Sequence, residues 1–274
     1  MVFVETAAIT YIGRKRSVNE DSFLVDDRLG LYIVADGVGG HKAGDVASNL
    51  VVKSIQQSMT RFIEGKDREE PTDDDGSFSS EAGLLLSCLQ YANREVNRIS
   101  RADKSCHGMC STVSAVYITD EGLVAANVGD SPIWLVHRRE IETLSVSHTV
   151  EAAQLMLDRG VKGSTKSGLR HMLTRAIGVE ETVKVDICQA HCFEGDVLIM
   201  ASDGLSNKVC PEEVLEVVSR WSPDAACRIL VNIADERGGE DNVTVIVSRV
   251  KMIERRRHGF MGLVSRVVKS CSFC

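Results

Sequence analysis

The sequence predicts an α+β fold in which antiparallel sheets stack between helical layers. Two observations carry that prediction. Strand-like runs come in blocks separated by pairs of helices, without the βαβα alternation of a parallel sheet. In addition, 43% of the 274 residues are hydrophobic, enough to fill the core of one sizeable domain.

Taken in order, short β-rich runs bounded by Gly and Asp predict strands over 7–12, 23–26 and 31–35. Ala43, Ala47, Leu50, Val51, Ile55, Met59 and Phe62 then recur at helical spacing. Residues 64–80 hold Gly, Pro and seven acidic side chains and read as a solvated loop. A second helix over 81–101 buries Leu85, Cys88, Leu89, Ala92, Val96 and Ile99. Strands return over 111–118, 123–128, 133–137 and 141–144, followed by a short helix over 150–159 and a Gly/Ser/Lys-rich loop. The runs 183–190 and 197–201 read as strands, the second so apolar that both its faces must be covered. Helices over 211–220 and 223–235 precede a last strand in which Val243, Val245 and Val247 alternate. No internal repeat is visible and nothing suggests a linker before residue 251. The expected organisation is one domain, 1–250, and a tail, 251–274.

Charge separates the same two parts. The net charge is −7, but the last 24 residues carry +5 and the first 250 carry −12. An acidic body is a poor partner for a phosphate backbone, which argues against nucleic acid and against a metal nuclease. It suits a protein that gathers carboxylates around cations. No run of 18 uncharged apolar residues occurs and the first residues lack the basic start of a secretory signal, so a cytoplasmic protein is expected. Nine irregularly spaced Cys fit reduced, mostly buried thiols.

Several segments place an Asp at the end of a predicted strand or in the turn beyond it: Asn19-Glu20-Asp21, Ala35-Asp36-Gly37-Val38-Gly39-Gly40, Asn127-Val128-Gly129-Asp130-Ser131, Ala201-Ser202-Asp203-Gly204 and Gly239-Glu240-Asp241-Asn242. Mg²⁺ and Mn²⁺ are hard cations that take carboxylate, carbonyl and water oxygens. A Gly after the Asp lets the main chain turn its carbonyl toward the same ion. Any one Asp-Gly is more often a plain turn than a ligand, and Gly-Glu-Asp-Asn after a helix fits a C-cap and loop. From spacing alone a carboxylate metal site is one reading and a set of turns is the other.

Order and flanking residues add more. The chain resembles the metal-dependent PPM (type 2C) protein phosphatases in their compact bacterial form, over roughly residues 7–249. The likeness rests on Gly13-x-x-Arg16-x-x-Asn19-Glu20-Asp21, Val34-Ala35-Asp36-Gly37-Val38-Gly39-Gly40, Gly108-Met109-Cys110-Ser111-Thr112 and Asn127-Val128-Gly129-Asp130-Ser131. It continues through Ser147-His148-Thr149, Leu173-Thr174-Arg175-Ala176-Ile177-Gly178, Ala201-Ser202-Asp203-Gly204-Leu205 and Glu240-Asp241-Asn242-Val243-Thr244.

The resemblance implies a four-layer α-β-β-α sandwich that removes phosphate from phosphoserine and phosphothreonine in proteins, opposing a bacterial Ser/Thr kinase. It implies that Asp36 bridges two Mn²⁺ or Mg²⁺ ions, with the Gly37 carbonyl, Asp203 and Asp241 completing the set. Glu20 and Asp21 would orient waters around the ions, Asp130 matches the position of a third, weaker ion, and Arg16 matches the phosphate-binding arginine. Water activated between two ions would attack phosphorus in line with the leaving oxygen, so no cysteine nucleophile is expected. The implied partners are phosphorylated proteins, a cognate kinase and its substrates, and the chain is expected to act as a monomer.

Four departures from the family pattern stand out. Cys110 and Ser111 replace Gly-Thr, Pro132 replaces Arg, and Ser147 replaces Asp. They motivate an alternative, a catalytically weak scaffold of the same fold that binds phosphoproteins. His148 is expected to be structural, with Val38 in place of the general-acid His of eukaryotic members. The loop 160–170, with Lys162, Lys166 and Arg170, corresponds to the bacterial flap. In the tail, Arg255-Arg256-Arg257 beside Phe260, Met261, Leu263, Val264, Val267 and Val268 suggests an amphipathic segment meeting a membrane, a partner or the acidic body. Cys271 and Cys274 match a C-a-a-X and a Cys-x-x-Cys only formally.

Overall fold

The computed structural model describes residues 2–38, 43–66, 78–120, 122–157 and 171–253. The expected flap, the tail beyond 253, Gly39, Gly40 and most of the acidic loop lie outside the described residues.

Among the described residues, eleven strands and six α-helices follow in chain order. They are β1 (Val2–Tyr11), β2 (Asp21–Asp26), β3 (Leu31–Val38), α1 (Gly44–Ile63), α2 (Ser80–Ala102), β4 (Cys110–Ser111), β5 (Val113–Thr119), β6 (Gly122–Val128), β7 (Ile133–His137) and β8 (Glu140–Thr143). The rest are α3 (Val150–Leu157), β9 (Asp186–Ala190), β10 (Val197–Ala201), α4 (Asp203–Ser206), α5 (Pro211–Arg220), α6 (Pro223–Glu236) and β11 (Val243–Ile253). One antiparallel sheet has the order β1-β11-β10-β7-β8; the other runs β2-β3-β5-β6-β9, with β4 beside β3.

The period-two direction of side chains sorts the core into three layers. Leu31, Ile33 and Ala35 of β3 pack with α1 and α2, whereas Tyr32 and Val34 face the other sheet. Val245 and Val247 of β11 pack with α5 and α6, whereas Ile246 meets the seam between the sheets. All five residues of β10 are buried. Central strands covered on both faces explain the unbroken apolar runs, and the order of layers is α-β-β-α.

The structure differs from the sequence reading at a few points. The run 111–118 divides at Thr112, whose N–H goes to the Asp36 carbonyl at 2.8 Å. The strand expected from 183 starts at Asp186, because the carbonyls of Val183 and Lys184 are taken by the side chains of Gln90 and Arg175. Phe62, expected on the buried face of α1, is 37% exposed in its last turn.

Candidate active site and metal centre

The register of β2 and β3 sets Asp21 directly opposite Asp36. Cross-strand partners leave a sheet on the same face, so two carboxylates meet at the seam between the sheets, where like charges are costly. From the other sheet, β10 delivers Asp203 at the start of α4, and Asp241 stands in the turn before β11. Asp36 feels the charge of Asp203, and both feel the charge of Asp241. Asp130, in the turn after β6, adds its charge beside Asp203.

This gathering of acid shows in the protonation of the group. Burial pushes Asp21 up to about 7, against the pull of its hydroxyl donors. Burial, then Asp21 and Asp203, hold Asp36 well above the usual carboxylate range. Burial and Asp241 raise Asp203, and burial and Asp203 push Asp130 up to about 7. Oδ1 of Asp21 and Oδ1 of Asp203 are buried with no hydrogen-bond partner. An unpaired buried oxygen on an acid surrounded by acids is a strong reason for a cation to sit there. The donors are all oxygen, as Mg²⁺ and Mn²⁺ require.

Among the described residues no three His, Cys, Asp or Glu side chains are already closed at ligand geometry. One reason is visible: Arg16 Nη2 holds Asp241 Oδ2 at 2.8 Å. Asp36 itself lies inside β3, so the plain-turn reading fails for Asp36-Gly37. A cavity of about 770 Å³ opens over Asp36, Asp130 and Asp203 and extends along residues 171–184.

Local chemistry fixes each acid. Ser202 Oγ and Thr244 Oγ1 donate to Asp21 Oδ2 at 2.8 and 2.7 Å. Having spent its proton on Asp21, Thr244 accepts from Thr10, which accepts from Asn19 Nδ2 at 2.8 Å. These donors link both sheets through one carboxylate. Asp36 is held by its backbone: its N–H donates to Thr112 Oγ1 and its carbonyl accepts from Ser111 Oγ, both at 3.0 Å. Gly37 crosses Gly44 so closely that a Cβ at 37 would lie 1.9 Å from the Gly44 carbonyl oxygen. Glu20 accepts from the Gly44 N–H at the start of α1, where a negative charge is favoured. Asn242 staples the 12–20 loop at both ends: Nδ2 donates to Ile12 O and Val18 O, and Oδ1 accepts from the Glu20 N–H. Gly13, at φ +81 and with no room for a Cβ beside the Asp241 carbonyl, lets that loop approach.

His148 lies behind the cavity rather than in it. Its Nδ1 accepts from the Gly129 N–H at 2.9 Å, so Nε2 carries the proton and donates to Asp186 Oδ2 at 2.5 Å. Arg175 Nη1 also donates to Asp186 Oδ2, at 2.6 Å. The histidine therefore pins the residue before Asp130. Its partner Asp186 carried no sequence signal for this role, and neither did Thr10; Arg175, Asn19, Ser202, Asn242 and Thr244 lay inside the motifs with no role attached.

The departures have separate fates. Ser111 keeps the hydroxyl that a Thr would supply to Asp36. Cys110 lines the cavity beside Asp36, with its thiol against the Val38 carbonyl at 3.5 Å. Pro132 is buried and its carbonyl takes the Ala201 N–H, away from the cavity. Ser147 is exposed, and among the described residues its hydroxyl reaches only Thr149. The single Cys-x5-Arg spacing, Cys88 to Arg94, lies within α2 with Cys88 fully buried and its thiol pushed up to about 11, so it forms no phosphate loop. No helix among the described residues is long and apolar enough to cross a membrane.

A sandwich of two antiparallel sheets with a carboxylate cluster at its seam is the layout of metal-dependent phosphatases. The profile described as Protein phosphatase 2C matches residues 12–229, and the chain belongs to that family. It is 30% identical over 253 residues to the serine/threonine phosphatase stp of Listeria monocytogenes serotype 4b, covering 89% of this chain and 95% of that protein. The serine/threonine phosphatase PstP/Ppp of Mycobacterium tuberculosis superposes with a TM-score of 0.75 at 27% identity, over 92% of this chain and 100% of that one. A structure of the PstP catalytic domain in complex with two manganese ions matches with a TM-score of 0.74 at 27% identity, over the same shares of both chains.

Proposed function

We propose that the protein hydrolyses phosphoserine and phosphothreonine in proteins, with Asp36, Asp203, Asp241 and the Gly37 carbonyl holding two Mn²⁺ or Mg²⁺ ions and Asp130 a third. The observation that carries this is the cluster of Asp21, Asp36 and Asp203 with two buried carboxylate oxygens unpartnered. Bound there, the ions supply Lewis acidity, lowering the pKa of water and neutralising charge on the transferring phosphoryl group.

The chain's own residues do the rest. Arg16 presents a planar guanidinium to two phosphate oxygens once Asp241 turns away from it. Asp21, held by Ser202 and Thr244, and Glu20, held at the start of α1, accept hydrogen bonds from water and orient it. Val38 is apolar and offers no proton, so the leaving oxygen takes its proton from water in the cavity. Asp130 keeps its place through Gly129 and His148.

The same reading makes the protein cytoplasmic and monomeric and sets it against a bacterial Ser/Thr kinase. The boundary expected at 250 moves to Ile253, where β11 ends paired with β1, and the residues beyond it are taken as a separate tail that touches a membrane or a partner. The scaffold alternative is disfavoured, since every acidic ligand position is present and the relatives are named as phosphatases. Purified protein with Mn²⁺ should release phosphate from a phosphothreonine peptide, and EDTA should stop it. Turnover that survives EDTA contradicts the reading.

A further inference from the structure

At the end of the first sheet away from the carboxylates lies a second groove, of about 570 Å³. β10 links the two: Asp196 precedes its first residue and Asp203 lies two residues past its last, and seven residues of near-extended chain set the sites at most about 23 Å apart at ~3.3 Å per residue. The groove is lined by His137, Arg138, Arg139, Phe193, Asp196 and Arg249, among others. We propose that it is a docking surface for an extended, Asp/Glu-rich segment of a partner protein, held by the guanidinium groups of Arg138, Arg139 and Arg249.

The charge of this face runs against that of the body, which is −12 over residues 1–250. The acids in the groove do not neutralise the arginines. Asp196 is 3% exposed and both its oxygens are engaged, Oδ1 with His137 Nδ1 at 2.7 Å and Oδ2 with the Phe193 N–H at 2.9 Å. Glu194 Oε1 accepts from the Ile253 N–H at 3.2 Å. Arg138 and Arg139 have no hydrogen-bond or ion-pair partner among the described residues. Arg249 is fixed by Nη2 on the carbonyls of Val218 and Trp221, which leaves its other nitrogens to face a ligand.

Backbone geometry supports the same reading. Arg138 and Arg139 turn the β7–β8 hairpin at φ 47 and 67. Asn-Gly would adopt these angles at lower cost, and strain is kept where a side chain is needed. The register Val136–Val197–Arg249 puts β10 between the hairpin turn that carries Arg138 and Arg139 and the strand β11 that carries Arg249, a lateral spread of about 10 Å at ~4.8 Å per strand. A row of that width fits several carboxylates along a chain better than one phosphate. Phe193, 46% exposed and 5.0 Å from the His137 ring, gives the segment an apolar shelf.

The proposal is independent of the catalytic reading. Its test titrates the full chain with a fluorescein-labelled Asp/Glu-rich peptide lacking phosphate and follows anisotropy at low and high salt. Saturable binding that weakens with salt is expected, and it should weaken about tenfold or more in the Arg138→Asn/Arg139→Gly double variant. That variant should melt no lower than the parent and keep its turnover of p-nitrophenyl phosphate. Arg138→Gln with Arg139→Gln, which keeps the strained turn, should lose binding equally. No binding to the parent, binding by either double variant as tight as the parent's, displacement by inorganic phosphate, or binding to phosphatidylserine vesicles in place of the peptide would each overturn it.

Discussion

Asp36 and Asp186 are both removed from bulk water to a degree, and the fold treats them in opposite ways. Asp186 meets a histidine proton at 2.5 Å and an arginine at 2.6 Å, and its carboxyl is held below the usual range, first by His148 and then by Arg175. Asp36 is held well above it, first by burial and then by Asp21, Asp203 and Asp241. Each acid is anchored with equal care, Asp36 through its backbone and Asp186 through its side chain. The difference teaches what each place is for. A carboxylate with its counter-charge supplied by the chain is architecture, whereas a cluster of carboxylates without one is built for a cation from outside.

The sharpest way to break that comparison is to remove one acid from each side. Asp36→Asn should cut Mn²⁺-dependent turnover of a phosphothreonine peptide on the order of a thousandfold or more. The same change should raise the melting temperature of the metal-stripped protein, by roughly 2–4 °C for each kcal/mol of repulsion relieved. Next in size, His148→Ala should lower turnover about 10–100-fold and raise the Mn²⁺ concentration needed, as loss of a ligand's support does. Unlike Asp36→Asn it should destabilise the metal-stripped protein by about 1–3 kcal/mol, since the Gly129 N–H is left buried and unmet. A histidine variant that lost turnover as completely as Asp36→Asn and melted higher without metal would erase the distinction between the two sites.

Arg16→Lys comes third. Loss of the two-pronged guanidinium should raise KM about tenfold with a smaller change in kcat, because an ammonium meets only one oxygen at a time. The smallest effect concerns pH. Asp21 takes up its proton near 7 in the folded metal-free protein and near 3.8 when unfolded. Its contribution to stability is full below about 4 and is lost as pH rises to about 7. Asp186 works the other way, its contribution being present above 3.8 and lost as pH falls below it. The metal-free melting temperature should therefore drop between pH 5 and 7.5, and saturating Mn²⁺ should flatten that slope by replacing the protons.

Legibility in the sequence followed the same division. The strands β7 and β10 and the helix α5 were readable to the residue, because apolar periodicity and turn residues fix them locally. Motif order pointed to the acids that would converge. What the sequence could not disclose was how they are held. The Asn19–Thr10–Thr244–Asp21 chain and the His148–Asp186–Arg175 network join residues far apart in the chain by polar atoms that leave no period or spacing behind. Asp186 reads as one polar position in an alternating strand, and only the pairing of β9 with β6, which sets it opposite Asn127, brings it to the histidine.

The central claim is that the acids at the seam are a cation site. Titrating Mn²⁺ into the metal-stripped protein and counting free Mn²⁺ by electron paramagnetic resonance tests it most directly. Two ions should bind tightly per chain, and Asp36→Asn should abolish tight binding while His148→Ala only weakens it. Failure of the unaltered protein to take up Mn²⁺, or uptake untouched by the Asp36 change, would contradict the account.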